Sequence, residues 1–179
     1  MICCSSKNIH THTMNMEKVK HAIQDDYDDS YSWCYGCGRL NEDGLHLRTG
    51  WDEDNEGNTI TIYQPRKEHK AIPGFIYGGL LASLIDCHGT GSASIFLHRK
   101  NGYEPGDGKD APRFVTASLQ VNFLKPTPEG VPLKAIGVVE EIHPKKFRVT
   151  TEVYADGKVV VTGVVTAVVM PDTFIEDKK

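Results

Sequence analysis

Tyr77-Gly78-Gly79-Leu80-Leu81-Ala82-Ser83-Leu84-Ile85-Asp86 is the stretch on which the fold turns. It lies in the run Phe75 to Leu97, the strongest helix candidate in the chain. That run is long, apolar on more than one side and free of internal proline. Pro73-Gly74 breaks the chain just before it. Gly79, Ser83, Asp86 and Thr90 recur at spacings of four, three and four, which sets them in one stripe down a helix. Leu80, Leu81, Leu84 and Ile85 fill the rest of the first turns and are expected to pack on a sheet. A carboxylate in such company is costly to bury unless something satisfies or uses it. Pattern alone leaves open that Asp86 points to solvent or caps a neighbouring loop.

Outward from the helix the chain reads as strands. Leu45 to Trp51 and Thr59 to Tyr63 form a hairpin around the acidic turn 52–57. Asn101 to Pro112, punctuated by Gly and Pro, reads as a surface loop. Three strand-like stretches follow, Phe114 to Leu124, Leu133 to Ile142 and Arg148 to Met170, the last split into a hairpin by Asp156-Gly157. In the first of them Val115, Ala117, Leu119, Val121 and Phe123 alternate with polar residues, so the odd positions are expected to face the core. Val159 to Val169 is valine-rich on both faces, as in a central strand covered on both sides. The class is therefore α+β: one long central helix wrapped by an antiparallel sheet of about five to six strands. One helix covers one face, so a partner subunit is expected over part of the other.

Composition narrows the function classes. The 179 residues suit one domain, and the hydrophobic fraction of 39% and charged fraction of 25% are ordinary for a globular chain. A formal charge of -4, with no basic stripe or arm, gives no sign of a nucleic-acid partner. No membrane span and no signal-peptide core are expected, and five cysteines, an odd number, fit a reducing cytoplasm better than a disulfide framework. Residues 1–30, polar and without sustained periodicity, read as a flexible extension with a short helix around Glu17 to Gln24. Residues 31–175 read as the domain.

Gly78-Gly79 at a helix start suggests chemistry. Glycines there let another group approach the backbone, and the free N–H groups carry the positive end of the helix dipole. A carbonyl gaining negative charge during attack is stabilised at such a point. The plain alternative is a tight turn and nothing more. Gly79 and Asp86 lie seven residues apart, about 10 Å along the axis at roughly 1.5 Å per residue. A reacting carbonyl must lie about 3 Å from both its oxyanion donor and its base or nucleophile. If both residues serve one carbonyl, Asp86 must come from a second copy of the chain, through a two-fold dimer.

Several segments resemble one family, the hotdog-fold thioesterases of the phenylacetate-degradation (PaaI-like) group. Cys34-Tyr-Gly-Cys-Gly38 and Asn41-Glu-Asp-Gly-Leu-His-Leu47 look like its opening stretch. Tyr77-Gly78-Gly79 with Asp86 resembles its helix start, and Thr116 through Phe123 to Pro126 its strand after the helix. The resemblance spans about Trp33 to Met170. It implies hydrolysis of acyl-CoA thioesters without a metal, and a homodimer that often pairs into a homotetramer. By resemblance, the Gly79 N–H polarises the carbonyl, Asp86 attacks it or activates a water, and the Thr116 hydroxyl orients that water. Tyr77, Gly78, Ser83 and Thr90 are the expected substrate contacts, with Lys125 or Arg99 near the coenzyme A phosphates. No cofactor is implied beyond the coenzyme A carried by the substrate. The family usually has His where this chain has Tyr77, whose hydroxyl can donate a similar hydrogen bond at longer reach. That departure makes a non-catalytic acyl-CoA-binding hotdog protein the alternative.

Other chemistry is weaker. Cys34-Tyr-Gly-Cys37 has metal-knuckle spacing, but no second pair completes a zinc set without His46 or His69, so a plain turn is expected. Cys87 reads as a core thiol, and His88 as a packed or solvated helix residue. His69 before Pro73-Gly74 resembles an element of hotdog acyl-CoA dehydratases, the remaining enzyme alternative.

Overall fold

The computed structural model describes residues 19–176. Six strands form one antiparallel sheet: β1 (Thr49–Trp51), β2 (Thr59–Tyr63), β3 (Phe114–Phe123), β4 (Leu133–His143), β5 (Lys146–Ala155) and β6 (Lys158–Val169). Their order is β1-β2-β4-β5-β6-β3. Helix α1 (Gly78–Lys100) lies against one face of this sheet, and a short helix α2 (Thr173–Glu176) follows β6. α1 is long and apolar enough to cross a membrane by length and composition, yet most of it is buried against the sheet.

The helix packs as its pattern requires. Leu80, Leu81, Leu84 and Ile85 are all buried, against Phe147, Val149, Val153, Val161 and Val165 of β5 and β6. Each such side chain is worth about 1.5–3 kcal/mol on leaving water. The seat is tight: a Cβ on Gly163 would meet Ile85 Cγ2 at 2.5 Å, and one on Gly89 would meet Val165 Cβ at 2.6 Å. The aromatic rings of Phe96 and Phe114 pack edge-on against Phe147, at 5.8 and 5.4 Å between centroids.

Some boundaries move, for visible reasons. α1 begins at Gly78, not Phe75, because Phe75 and Ile76 are drawn into backbone bridges with Pro128 and Lys70. It runs on to Lys100 because His98, Arg99 and Lys100 suit the negative end of its dipole. The strand expected over Leu45 to Trp51 shrinks to Thr49–Trp51: Leu45 and Leu47 donate instead to the carbonyls of Tyr35 and Gly36, and His46 takes a left-handed φ of 54°. The Asp156-Gly157 hairpin stands as read, both residues at positive φ, 49° and 71°.

Two larger expectations are corrected. β6 is next to the edge, not central, and within one chain only its inward face is covered; Val164 and Val168 on the other face stay half-exposed. In β3 the odd-position rule fails at the start, because a bulge between Thr116 and Ser118 inserts Ala117 as an extra residue. Thr116 therefore pairs opposite buried Ala167 and shares its helix-facing side, while Val115 turns outward. Beyond the bulge Leu119, Val121 and Phe123 return to that side.

Part of the stretch read as a flexible extension is packed. Ala22, Ile23, Gln24 and Tyr27 are buried, Ile23 and Tyr27 against Ile95 of α1. Of the helix expected around Glu17 to Gln24, residues 17 and 18 lie outside the described residues, 19–22 are not helical, and a short 3-10 turn, Ile23–Asp26, overlaps only its end. Gln24 fixes it by bonding the backbone and hydroxyl of Thr49. Residues 1–18 lie outside the described residues.

Candidate active site

Asp86 sits halfway along the exposed flank of α1, half-buried. The Thr116 hydroxyl donates to its Oδ1. Burial pushes the Asp86 carboxyl above its ordinary range, and the Thr116 hydrogen bond pulls the other way; the charge on Cys34 also raises it, while Arg113 lowers it. The result is a carboxylate more basic than one in water, held in orientation by a hydroxyl. That suits a group meant to take a proton.

About two turns upstream lies the helix start, without a side-chain cap. Tyr77 occupies the cap position in extended conformation with no side-chain cap bond, and no acidic residue lies in the first turn. The N–H groups of Gly78 and Gly79 have no carbonyl behind them in the helix, so they and the dipole remain for a ligand. Space for a side chain is tight at both glycines, and tighter at Gly79. A Cβ on Gly79 would lie 2.4 Å from the Tyr77 ring, and one on Gly78 would lie 3.1 Å from Phe123 Cζ.

A cleft of about 390 Å³ opens beside this helix start, lined by Gly78, Ile76, Leu81, Phe123, Leu124 and Lys125 among others. The expected Gly78 and Lys125 thus meet there. Ser83 and Thr90 do not join them: Ser83 Oγ donates to the Gly79 carbonyl at 2.8 Å, and Thr90 Oγ1 donates to the Asp86 and Cys87 carbonyls at 3.3 Å. Both hydroxyls serve their own helix. Arg99 stands at the far end of α1, paired with Glu104 and stacked 3.6 Å over Trp51, away from the cleft. Gly79 and Asp86, both on α1, remain about 10 Å apart along its axis.

Sequence reasoning missed the aromatic row beside the helix start. The rings of Tyr63, His69 and Tyr77 follow one another at 6.0 and 6.2 Å. His69 is buried, its Nδ1 accepting from the Arg66 N–H, and burial lowers its pKa. Period-two patterning in Thr59 to Tyr63 was the available signal. His88 proves to be packed: fully buried, with Nδ1 2.8 Å from Thr61 Oγ1 and Nε2 near Thr59 and Ser92. Burial drives its pKa down to about 3.

Cys34 and Cys37 flank a turn and Cys87 is a buried core thiol, as read from the sequence; what spacing did not announce is that the three meet. Cys34, Cys37 and Cys87 bring their sulfurs within 4.8 Å of one another, the one such donor cluster among the described residues. Hydrogen bonds from Cys37 and Cys87 hold Cys34 well below the ordinary thiol range, while Cys37 is pushed up to about 11 and Cys87 well above the usual value.

Comparison with known proteins places this geometry. The family model of the thioesterase superfamily matches residues 73–162. A thioesterase superfamily protein from Shewanella loihica PV-4 is 40% identical, covering 80% of this chain and 98% of its own, with a TM-score of 0.56. A phenylacetic acid degradation-related protein from Ralstonia eutropha JMP134 is 22% identical over 70% of this chain and 86% of its own, TM-score 0.54. A thioesterase from Haemophilus influenzae is 15% identical over 75% and 85%, TM-score 0.57. The latter two speak to the fold alone. No curated protein matches the chain. With its long helix held against a six-stranded antiparallel sheet, the chain has the hotdog fold and belongs to the thioesterase superfamily.

Proposed function

We propose that the protein hydrolyses acyl-CoA thioesters in the cytoplasm, at sites shared between the two subunits of a homodimer that can pair further into a homotetramer. The observation that carries this reading is the Asp86 carboxylate, raised in basicity by burial and oriented by the Thr116 hydroxyl. In the reaction, Asp86 takes a proton from a water whose oxygen attacks the thioester carbonyl carbon. The carbonyl oxygen becomes an oxyanion at the Gly79 N–H of the other subunit. The intermediate then collapses, the carbon–sulfur bond breaks, and the coenzyme A sulfur leaves with the proton returned by Asp86. Lys125 in the cleft lining suits the phosphates of coenzyme A, and the apolar walls of Leu81, Phe123 and Leu124 suit the acyl-bearing arm.

Two features support the shared site. The axial separation of Gly79 and Asp86 forbids one helix from serving both ends of the carbonyl. β3, at the sheet edge, leaves Leu119 at 39% and Phe123 at 57% exposure, an apolar edge suited to a second copy. Thr116 lies on that same strand. Release of free thiol from a panel of acyl-CoA esters, together with sedimentation, tests the reading: turnover confined to the dimer is expected, and an active monomer overturns the shared site.

One observation favours a second reading, acyl-CoA binding without turnover: the Tyr77 ring lies over Gly79, where the carbonyl is to arrive. Binding of acyl-CoA with no thiol release supports it over hydrolysis.

A further inference from the structure

We propose that Cys34, Cys37 and Cys87 form a three-sulfur binding site for a thiophilic d10 cation, zinc(II) or copper(I), which clamps the 34–38 turn onto helix α1. The geometry carries the proposal. The Cys34 and Cys87 sulfurs stand 3.9 Å apart, and all three lie within 4.8 Å of one another. Metal–sulfur bonds of about 2.3 Å place neighbouring sulfurs about 3.8 Å apart in tetrahedral and about 4.0 Å apart in trigonal geometry. Coordination therefore needs at most about an ångström of adjustment. A disulfide between Cys34 and Cys87 needs the two sulfurs to close to about 2.05 Å, a far larger movement.

The turn is built to present sulfur. Gly38 N donates to the Cys34 carbonyl at 2.7 Å, closing the turn that sets Cys34 and Cys37 on the same side. No side chain fits between turn and helix at Gly36, where a Cβ would lie 2.3 Å from Cys87 Sγ; Gly38 is closed in by the turn itself, a Cβ there lying 2.4 Å from the Cys34 nitrogen. Arg113 Nη2 lies 4.0 Å from Cys37 Sγ and offsets part of the negative charge that the thiolates would bring. Cys34 is half-exposed and gives the cation a way in. The turn supplies two ligands by local spacing; the third comes from 53 residues away, which is why spacing alone does not announce the site. Copper(I) is complete with three sulfurs, whereas zinc(II) takes a water as its fourth ligand.

The test uses the full chain carrying Cys3→Ser and Cys4→Ser, so that only the three clustered cysteines remain, reduced with a phosphine. Cadmium(II) and cobalt(II), as zinc analogues, form one titration arm and copper(I) the other, both read by thiolate-to-metal charge-transfer absorption. The expected result is saturation at one cation per chain in at least one arm, and the tighter arm identifies the cation. Cys34→Ser and Cys87→Ser are each expected to weaken binding by at least about tenfold. X-ray absorption on the loaded protein needs no substitution within the cluster; three sulfur neighbours at about 2.3 Å are expected. No charge-transfer band in the reduced protein, a band indifferent to Cys87→Ser, or fewer than three sulfurs around the cation overturns the site. So does closure to a Cys34–Cys87 disulfide with no cation uptake after reduction.

Discussion

The Thr116 hydroxyl, on the strand at the edge of the sheet, donates to the carboxylate of Asp86, on the central helix. The bulge that turns Thr116 inward creates this contact, and an unbulged strand in the same register would send that hydroxyl to the opposite face. Thr116 supports the ionised form of Asp86, the form that can accept a proton.

Asp86→Asn keeps the size and removes the base. Thiol release from acyl-CoA is expected to fall in kcat by roughly 10²–10⁴-fold, the usual worth of a positioned general base, with circular dichroism unchanged. A variant that turns over at the wild-type rate removes Asp86 from the mechanism.

Thr116→Val tests the support itself. The hydrogen bond from Thr116 favours the charged carboxylate and lowers its pKa. Its loss therefore raises that pKa, and the acid limb of the pH–rate profile moves to higher pH. Thr116→Ser keeps the donor and is expected to leave the limb in place. Equal profiles in all three proteins would show that the contact does not tune Asp86.

Mixed dimers test the shared site. Gly79→Ala puts a Cβ against the Tyr77 ring and is expected to be inactive, as is Asp86→Asn. A heterodimer of the two variants contains one site with both residues intact. Random re-pairing of equal amounts should restore about a quarter of wild-type activity, since half the dimers are mixed and each has one working site of two. No recovery from pairs proven to exchange subunits places both residues in one chain.

His88 makes the fold acid-sensitive. Its folded pKa is about 3 against an ordinary 6.5, so it stays neutral in the fold while the unfolded chain binds a proton. Its contribution is intact above about pH 6.5 and is lost as pH falls toward 3, at about 1.4 kcal/mol per pH unit. Urea midpoints against pH should show a shallower decline for His88→Gln. Parallel curves would mean that another group governs the acid transition.

What the residues alone determined is whatever depends on local period and short-range turn chemistry. The helix around Asp86 was legible because Leu80, Leu81, Leu84 and Ile85 repeat at the helical spacing, and all four are buried. The β5–β6 hairpin was legible because Asp156-Gly157 supplies the two positive-φ residues such a turn demands. The stripe containing Gly79 and Asp86, and the distance between them, followed from helix geometry.

Contacts between elements were decided only by the tertiary structure. The bulge at Ala117 hides in a stretch whose alternation looks unbroken, because a single inserted residue changes the facing of Thr116 without changing composition. Ser83 and Thr90 share the stripe of Asp86, yet their hydroxyls are taken by backbone carbonyls four residues back, a choice between solvent and helix that spacing does not make. Cys87 reads as core because its meeting with Cys34 and Cys37 depends on where a loop 53 residues earlier crosses the helix. Periodicity is a property of neighbours in the chain, whereas these contacts belong to neighbours in space.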